Sequence, residues 1–372
     1  MGKEKLMELP FFLLFLLLTS CQSNFQKPVN TLFQSLPSSE TGVRFNNKLT
    51  TDDSVNVLSY EYLYNGGGVG IADFNRDSLP DIFFSGNMVP CRLYINRKNF
   101  VFEDLTEKSG IDTKDIWAYG VSVIDINQDG WQDIYLCTGG MKNRDKDVTP
   151  NKLYINKGNL TFVEAAEEYG LAITGESIQS TFLDYDLDGD LDMFLMKGGG
   201  FEKSAITPFP IVKDGSSRNT DRFFRNDFDP ASGHPKFTDV SREAGILLEG
   251  FGLGVSVLDV NVDGWPDVYV TNDYLSKDHL YVNNQNGTFT DKVDEYFKHV
   301  SHFAMGNDVG DINNDGWQDI LAVDMLPEDN YHRKIMFGPN QYDKFYFAVS
   351  QGYGYQYMRN TLQVANEDGS YS

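Results

Sequence analysis

The sequence predicts an all-β protein, a β-propeller of four-stranded blades, on three observations. An acidic segment of nine residues recurs five times, a Leu-Tyr-type strand recurs between its copies, and the spacing that joins them is almost constant. The acidic copies are Asp73-Phe-Asn75-Arg-Asp77-Ser-Leu-Pro-Asp81, Asp125-Ile-Asn127-Gln-Asp129-Gly-Trp-Gln-Asp133, Asp184-Tyr-Asp186-Leu-Asp188-Gly-Asp-Leu-Asp192, Asp259-Val-Asn261-Val-Asp263-Gly-Trp-Pro-Asp267 and Asp311-Ile-Asn313-Asn-Asp315-Gly-Trp-Gln-Asp319. Turns rich in Asp and Asn are common singly, but five in one register require a repeated structure.

The second element reads Leu93-Tyr94-Ile95-Asn96, Leu153-Tyr154-Ile155-Asn156, Phe223-Phe224-Arg225-Asn226 and Leu280-Tyr281-Val282-Asn283, followed by Phe102, Phe162, Phe237 and Phe289. From each of those phenylalanines to the first aspartate of the next acidic segment the distance is 23, 22, 22 and 22 residues. From that aspartate to the Leu-Tyr element it is 20, 28, 39 and 21, and 51 with Leu362 as a degenerate fifth copy. One connection therefore absorbs all the length variation.

Short runs dense in Val, Ile and Tyr flank each acidic segment, as in Tyr119 to Ile124 and Ile134 to Leu136, and these are strands by length and composition. An Asn/Gly/Lys turn, Asn156 to Asn159 in the second copy, separates the Leu-Tyr strand from the strand carrying the phenylalanine and marks a hairpin. Each repeat thus supplies four antiparallel strands, which suits a propeller blade; a row of separate sandwiches is the alternative. Successive antiparallel connections alternate between two faces. The acidic loops share one face with the last hairpin, and the variable inserts lie on the other, where recognition is expected.

Oxygen donors at positions 1, 3, 5 and 9, a main-chain carbonyl at 7 and glycine at 6 form a donor set for calcium, which takes six to eight oxygens in loose geometry. Neither His nor Cys occurs in the segments, which disfavours transition metals, and the absence of a glutamate at position 12 disfavours an EF-hand. The expected ligands are therefore Asp73, Asn75, Asp77, Asp81, Asp125, Asn127, Asp129, Asp133, Asp184, Asp186, Asp188, Asp192, Asp259, Asn261, Asp263, Asp267, Asp311, Asn313, Asp315 and Asp319, for up to five Ca2+ ions. The third segment carries one more carboxylate than the others and is expected to be the tightest site. The first has Ser78 where the others have glycine.

Bulk composition agrees with this reading. At 372 residues, 41% hydrophobic and 23% charged, the chain is globular in character, and its formal charge of −23 argues against nucleic acid as a partner. Residues 1–21 read as a signal peptide: the apolar run Leu9 to Leu18 is too short to span a bilayer and ends in Leu18-Thr19-Ser20-Cys21. That tetrapeptide resembles a bacterial lipobox, which implies lipidation of Cys21 and attachment to a membrane through the lipid alone. Residues 22–41 read as a tether and 42–372 as the repeat domain, and Cys91 and Cys137 are expected as buried free thiols.

Tyr119-Gly120-Val121, Phe251-Gly252-Leu253-Gly254 and the five acidic loops resemble the FG-GAP/VCBS repeats of integrin α-chain propellers, from about Gly42 to Ser372. The third copy departs from that pattern at Ser180-Thr181-Phe182. Tyr64 to Gly68 and Asp324 to Asp329 are similar to bacterial lipoproteins of the cartilage acidic protein and ASPIC/UnbV-associated family. The resemblance implies a seven-bladed ring with calcium in its loops, of which five to six blades are expected here. The chain then reads as truncated within a repeat, with Val43 to Phe45 as a candidate closing strand.

The function expected is a calcium-binding, exported adhesion module on the bacterial outer membrane or cell surface, taking a protein or glycan ligand opposite the calcium loops. No catalytic residues are expected. The five histidines, His234, His279, His299, His302 and His332, show no repeated pairing, and the acidic pairs belong almost entirely to the loops. The alternative is a secreted polysaccharide-active, lyase-like enzyme, which would need a base and a charge-neutralising group at one cleft. The inserts Lys197–Arg222 and Tyr331–Tyr357, the latter carrying Tyr342, Tyr346, Tyr353, Tyr355 and Tyr357, are the candidate recognition segments, and the tyrosines serve equally as packing for a helical excursion.

Overall fold

Each acidic segment forms the bend between two strands, and the pairing has one register throughout. The residue before position 1 faces position 9: Ala72 with Asp81, Ile124 with Asp133, Leu183 with Asp192, Leu258 with Asp267 and Gly310 with Asp319. The computed structural model describes residues 32–140, 149–198, 209–336 and 342–372. The expected signal peptide, Cys21, the first part of the tether and the middle of the insert at 199–208 lie outside the described residues.

Five blades follow one another. The first is β1 (Val69–Ala72), β2 (Asp81–Phe84), β3 (Arg92–Asn96) and β4 (Phe102–Asp104); the second is β5 (Ala118–Ile124), β6 (Asp133–Thr138), β7 (Lys152–Asn156) and β8 (Phe162–Glu164). The third is β9 (Ser177–Leu183), β10 (Asp192–Lys197), β11 (Arg222–Asp229) and β12 (His234–Asp239); the fourth is β13 (Gly252–Leu258), β14 (Asp267–Asn272), β15 (His279–Asn283) and β16 (Phe289–Asp291). After β17 (Val300–Ser301) the fifth blade has β18 (Ala304–Gly310), β19 (Asp319–Asp324) and β21 (Thr361–Gln363). The Ala365–Tyr371 bridge marks the place of its fourth strand. The fold is thus the all-β propeller expected.

The cores lie within and between blades. Phe83, Leu93 and Ile95 of the first blade pack with Val121, Ile134, Tyr154 and Phe162 of the second. The first strands of successive blades run side by side, and Gly120 shows how closely: a Cβ there would stand 2.5 Å from the Ile178 carbonyl oxygen of the third blade. Close approach of this kind accounts for Gly70, Gly120 and Gly254 on the inner strands of the first, second and fourth blades better than backbone freedom does.

Asparagine latches join some blades. The Asn156 side chain donates to the Phe74 carbonyl at 2.9 Å, from the second blade to the first, and Asn283 donates to the Tyr185 carbonyl at 2.8 Å, from the fourth to the third. The second and third blades meet instead through the Ser122 and Ser180 hydroxyls at 2.7 Å. The fourth and fifth meet through Ser256, which donates to Asn307 at 2.6 Å.

Val43 to Phe45 form no strand. The Arg44 N–H donates to the Tyr94 hydroxyl at 3.2 Å and Phe45 stacks on Phe84 with centroids 5.0 Å apart, so the segment caps the first blade through side chains. The insert of the fifth blade is helical at Asn330–Met336 and Tyr342–Ser350, then returns as β20 (Gln356–Tyr357), which pairs in parallel with β17. Cys91 and Cys137 are buried free thiols. Among the described residues no helix is long and apolar enough to cross a membrane.

Candidate metal loops and the opposite face

All five loops close by the same hydrogen bonds. The position 1 carboxylate accepts the N–H of position 6, at 2.6 Å from Ser78, 2.7 Å from Gly130, 3.1 Å from Gly189 and 2.8 Å from both Gly264 and Gly316. The position 5 carboxylate accepts the N–H of position 7 at 2.9–3.1 Å. Position 6 is left-handed in every loop, and Ser78 takes φ 66° there, so the serine of the first loop preserves the bend. Position 4 is left-handed as well, at Arg76, Gln128, Leu187, Val262 and Asn314, a constraint that residue type does not advertise.

The position 9 aspartates, Asp81, Asp133, Asp192, Asp267 and Asp319, are buried beneath their loops. One oxygen of each accepts the N–H of position 2, from Phe74, Ile126, Tyr185, Val260 and Ile312. The other accepts the N–H at the end of the Leu-Tyr strand, from Asn96, Asn156, Asn226, Asn283 and Ala365. These side chains therefore staple the hairpin across the blade, while each oxygen keeps a lone pair for a further partner. Burial, reinforced by the other loop carboxylates, pushes Asp81 and Asp267 up to about 6, Asp133 to about 7 and Asp192 to about 8, against the lowering effect of the two N–H donors.

Loop three differs from the rest. In loops one, two, four and five the position 3 asparagine donates to the position 5 carboxylate at 2.9–3.1 Å, which relieves one charge. In loop three that residue is Asp186, and oxygens of Asp184, Asp186 and Asp188 lie within 4.8 Å of one another. Buried oxygens of Asp186 and Asp190 have no hydrogen-bond partner, nor has one of Asp125 in loop two. Burial, then the charges of Asp188, Asp186 and Asp184, raise Asp190 to about 6. The converging carboxylates of Asp184, Asp186 and Asp188, one of them with an unpaired buried oxygen, fit a hard divalent cation, and Asp190, which the repeat pattern treats only as a carbonyl position, adds a further negative charge beside them.

The opposite face carries aromatic and acidic residues with no repeat signature. Tyr60 is hydrogen-bonded to Tyr119 and donates to Glu176 at 3.3 Å, while the Gly140 N–H donates to the same Glu176 oxygen at 3.0 Å. Burial lifts Glu176 to about 7. Two residues on, Tyr62 reaches Asp273 of the fourth blade at 3.4 Å. The segment before β1 thus crosses from the first blade to the second, third and fourth. Spacing arguments miss it because the partners are 59, 116 and 211 residues apart.

Repeated acidic loops and successive antiparallel blades, four of them four-stranded, define a β-propeller of the acidic-loop class. Comparison with known proteins agrees: a family model for FG-GAP-like repeats matches residues 73–136 and 259–322, each match running from one acidic loop into the strand after the next. The chain carries FG-GAP-like repeats on a β-propeller fold. It is similar to human cartilage acidic protein 1, 25% identical over 213 residues that make up 56% of this chain and 28% of that protein, so it spans little more than a quarter of that relative. Among solved structures it is similar to the V. cholerae biofilm matrix protein Bap1, with a TM-score of 0.36 and 15% identity over 82% of this chain and 38% of that one. A GH43_1 enzyme from Xanthomonas citri matches with a TM-score of 0.31 and 10% identity, over 82% and 89% of the two chains.

Proposed function

We propose that this chain is a calcium-loaded binding module, exported and held at a membrane by lipid on Cys21, whose ligand docks on the face opposite the acidic loops. The observation that carries the calcium reading is the third loop, where Asp184, Asp186 and Asp188 converge and buried oxygens of Asp186 and Asp190 stand unpaired. An apo loop of this kind repels itself, and a hard cation with flexible coordination relieves it. Calcium would fix the bend between the first two strands of each blade and leave the opposite face free for a protein or glycan.

Thermal unfolding in calcium and then in chelator tests this reading. A large calcium-dependent rise in Tm, reduced by Asp188→Ala, is expected. Equal melting in the two conditions would remove the metal from the account. Anchoring has its own test: Cys21→Ala should move the exported protein from the detergent phase to the aqueous phase.

A further inference from the structure

On the face opposite the acidic loops, where the link between the fourth and fifth blades meets the helical insert, a cavity of about 400 Å³ is lined by residues that include Lys277, Phe297, Lys298, His299 and Tyr355. We propose that this cavity binds a carboxylate or sulfate group carried on a sugar-sized ring, with the oxyanion at Lys298 and His299 and the ring against Tyr355. The proposal rests on the reading of this face as the recognition face and gives it a place and a ligand class.

Charge is the first argument. A chain of net charge −23 repels anions unless cations are gathered locally. Lys277 is already bonded to Asp294. Lys298 is exposed and has no ion-pair partner among the described residues, so its ammonium is available. The Arg359 guanidinium lies 2.7 Å from His299 Nε2. A guanidinium can only donate, so Nε2 accepts and the neutral ring carries its proton on Nδ1, which makes His299 a donor. Burial, then the Arg359 charge, lowers the affinity of His299 for a second proton.

Preorganisation is the second. The parallel pair of β17 and β20 holds the two walls together, with the Val300 N–H donating to the Tyr355 carbonyl at 3.1 Å. Gln363 donates to the His299 carbonyl at 2.9 Å, and the buried Gln356 donates to the Leu275 carbonyl at 2.7 Å. Tyr355 is 51% exposed on this fixed frame, with Phe345 tilted against it at 6.4 Å, and lines the cavity. The volume lies at the lower end of the ~300–1,000 Å³ usual for small-ligand pockets, which suits one ring. A larger groove of about 500 Å³ between β5 and β9 is lined by Val123, Asp125, Phe182 and Leu191 among others, with no cationic side chain, and lacks this chemistry.

The test is titration of the full calcium-loaded chain with glucuronate, glucose 6-sulfate, glucose and inorganic sulfate, followed by calorimetry or by NMR. Saturable binding of glucuronate or the sugar sulfate is expected, at least tenfold tighter than glucose or sulfate, and the better of the two identifies the oxyanion. Lys298→Glu, on an exposed side chain, should weaken it at least tenfold with unchanged Tm, and Arg359→Ala should weaken it less. Equal binding of glucose, equal binding of free sulfate, no binding of either anionic sugar, or no effect of Lys298→Glu would each overturn the proposal. A module that still binds glycan through other residues would leave the broader reading standing.

Discussion

The two faces of this propeller are built by opposite rules. On one, five loops repeat the same hydrogen bonds and the same left-handed positions, although four of the nine residue types are free to vary. On the other, no two connections match: Asp273 to Asp278 is a tight turn, while the fifth blade inserts two helices between β19 and β20. The contrast teaches where constraint lies. Repeated chemistry sits where each hairpin must be closed, and variation collects where closure demands nothing.

Removing metal should break the comparison most strongly. At free calcium 1,000 times a site's Kd, each loaded loop contributes about 4 kcal/mol, so chelation should lower Tm more than any single substitution. The pH response should reverse as well. Asp81, Asp133, Asp192 and Asp267 hold protons in the metal-free fold up to about 6, 7, 8 and 6, above the ~3.9 of an unfolded aspartate. Their contribution in chelator is therefore fully present below about pH 4 and is lost as pH rises through those values. In calcium the ionised form is the bound form, and stability should rise over the same range. Parallel pH profiles with and without calcium would contradict this.

Asp133→Ala comes next. It leaves the N–H groups of Ile126 and Asn156 buried without their acceptor, at about 1–3 kcal/mol each, and the loss should persist in chelator because the staple does not depend on metal. Denaturant midpoints in both conditions measure it. Gly120→Ala should cost about 1–3 kcal/mol through the contact with the Ile178 carbonyl, since a backbone atom cannot step aside as a side chain can. Tyr346→Ala, on the exposed part of the insert, should fall within about 0.5 kcal/mol by the same denaturant series, and a larger loss would show that the insert supports the blades.

The loops were legible because their ligand types and spacing are chemically restricted, and the blades because the span from Phe102, Phe162, Phe237 or Phe289 to the next loop is rigid. What escaped reading is non-local or permissive. Leu187 and Val262 sit at φ 58° and 57° with no glycine to announce it, because the surrounding hydrogen bonds impose the conformation. The double role of position 9 was hidden because one of its donors lies in the Leu-Tyr strand, 15 residues away for Asp81 and 46 for Asp319. Asp190 passed as a carbonyl position, although its half-hidden carboxylate feels the charges of the most acidic loop. The partner of His299, Arg359, lies 60 residues later, just past β20, whose pairing with β17 is the one parallel pair among the described strands.

The asparagine latches give the ring a mechanical grain. Among the described residues they tie the first blade to the second and the third to the fourth, while the intervening joints rest on a serine pair, a serine–asparagine bond and packing. Pulled apart by force along the chain, such a ring carries load through joints of unequal strength. It would part first between the second and third or the fourth and fifth blades, yielding blades in couples, and pulling experiments would register extension in steps of two.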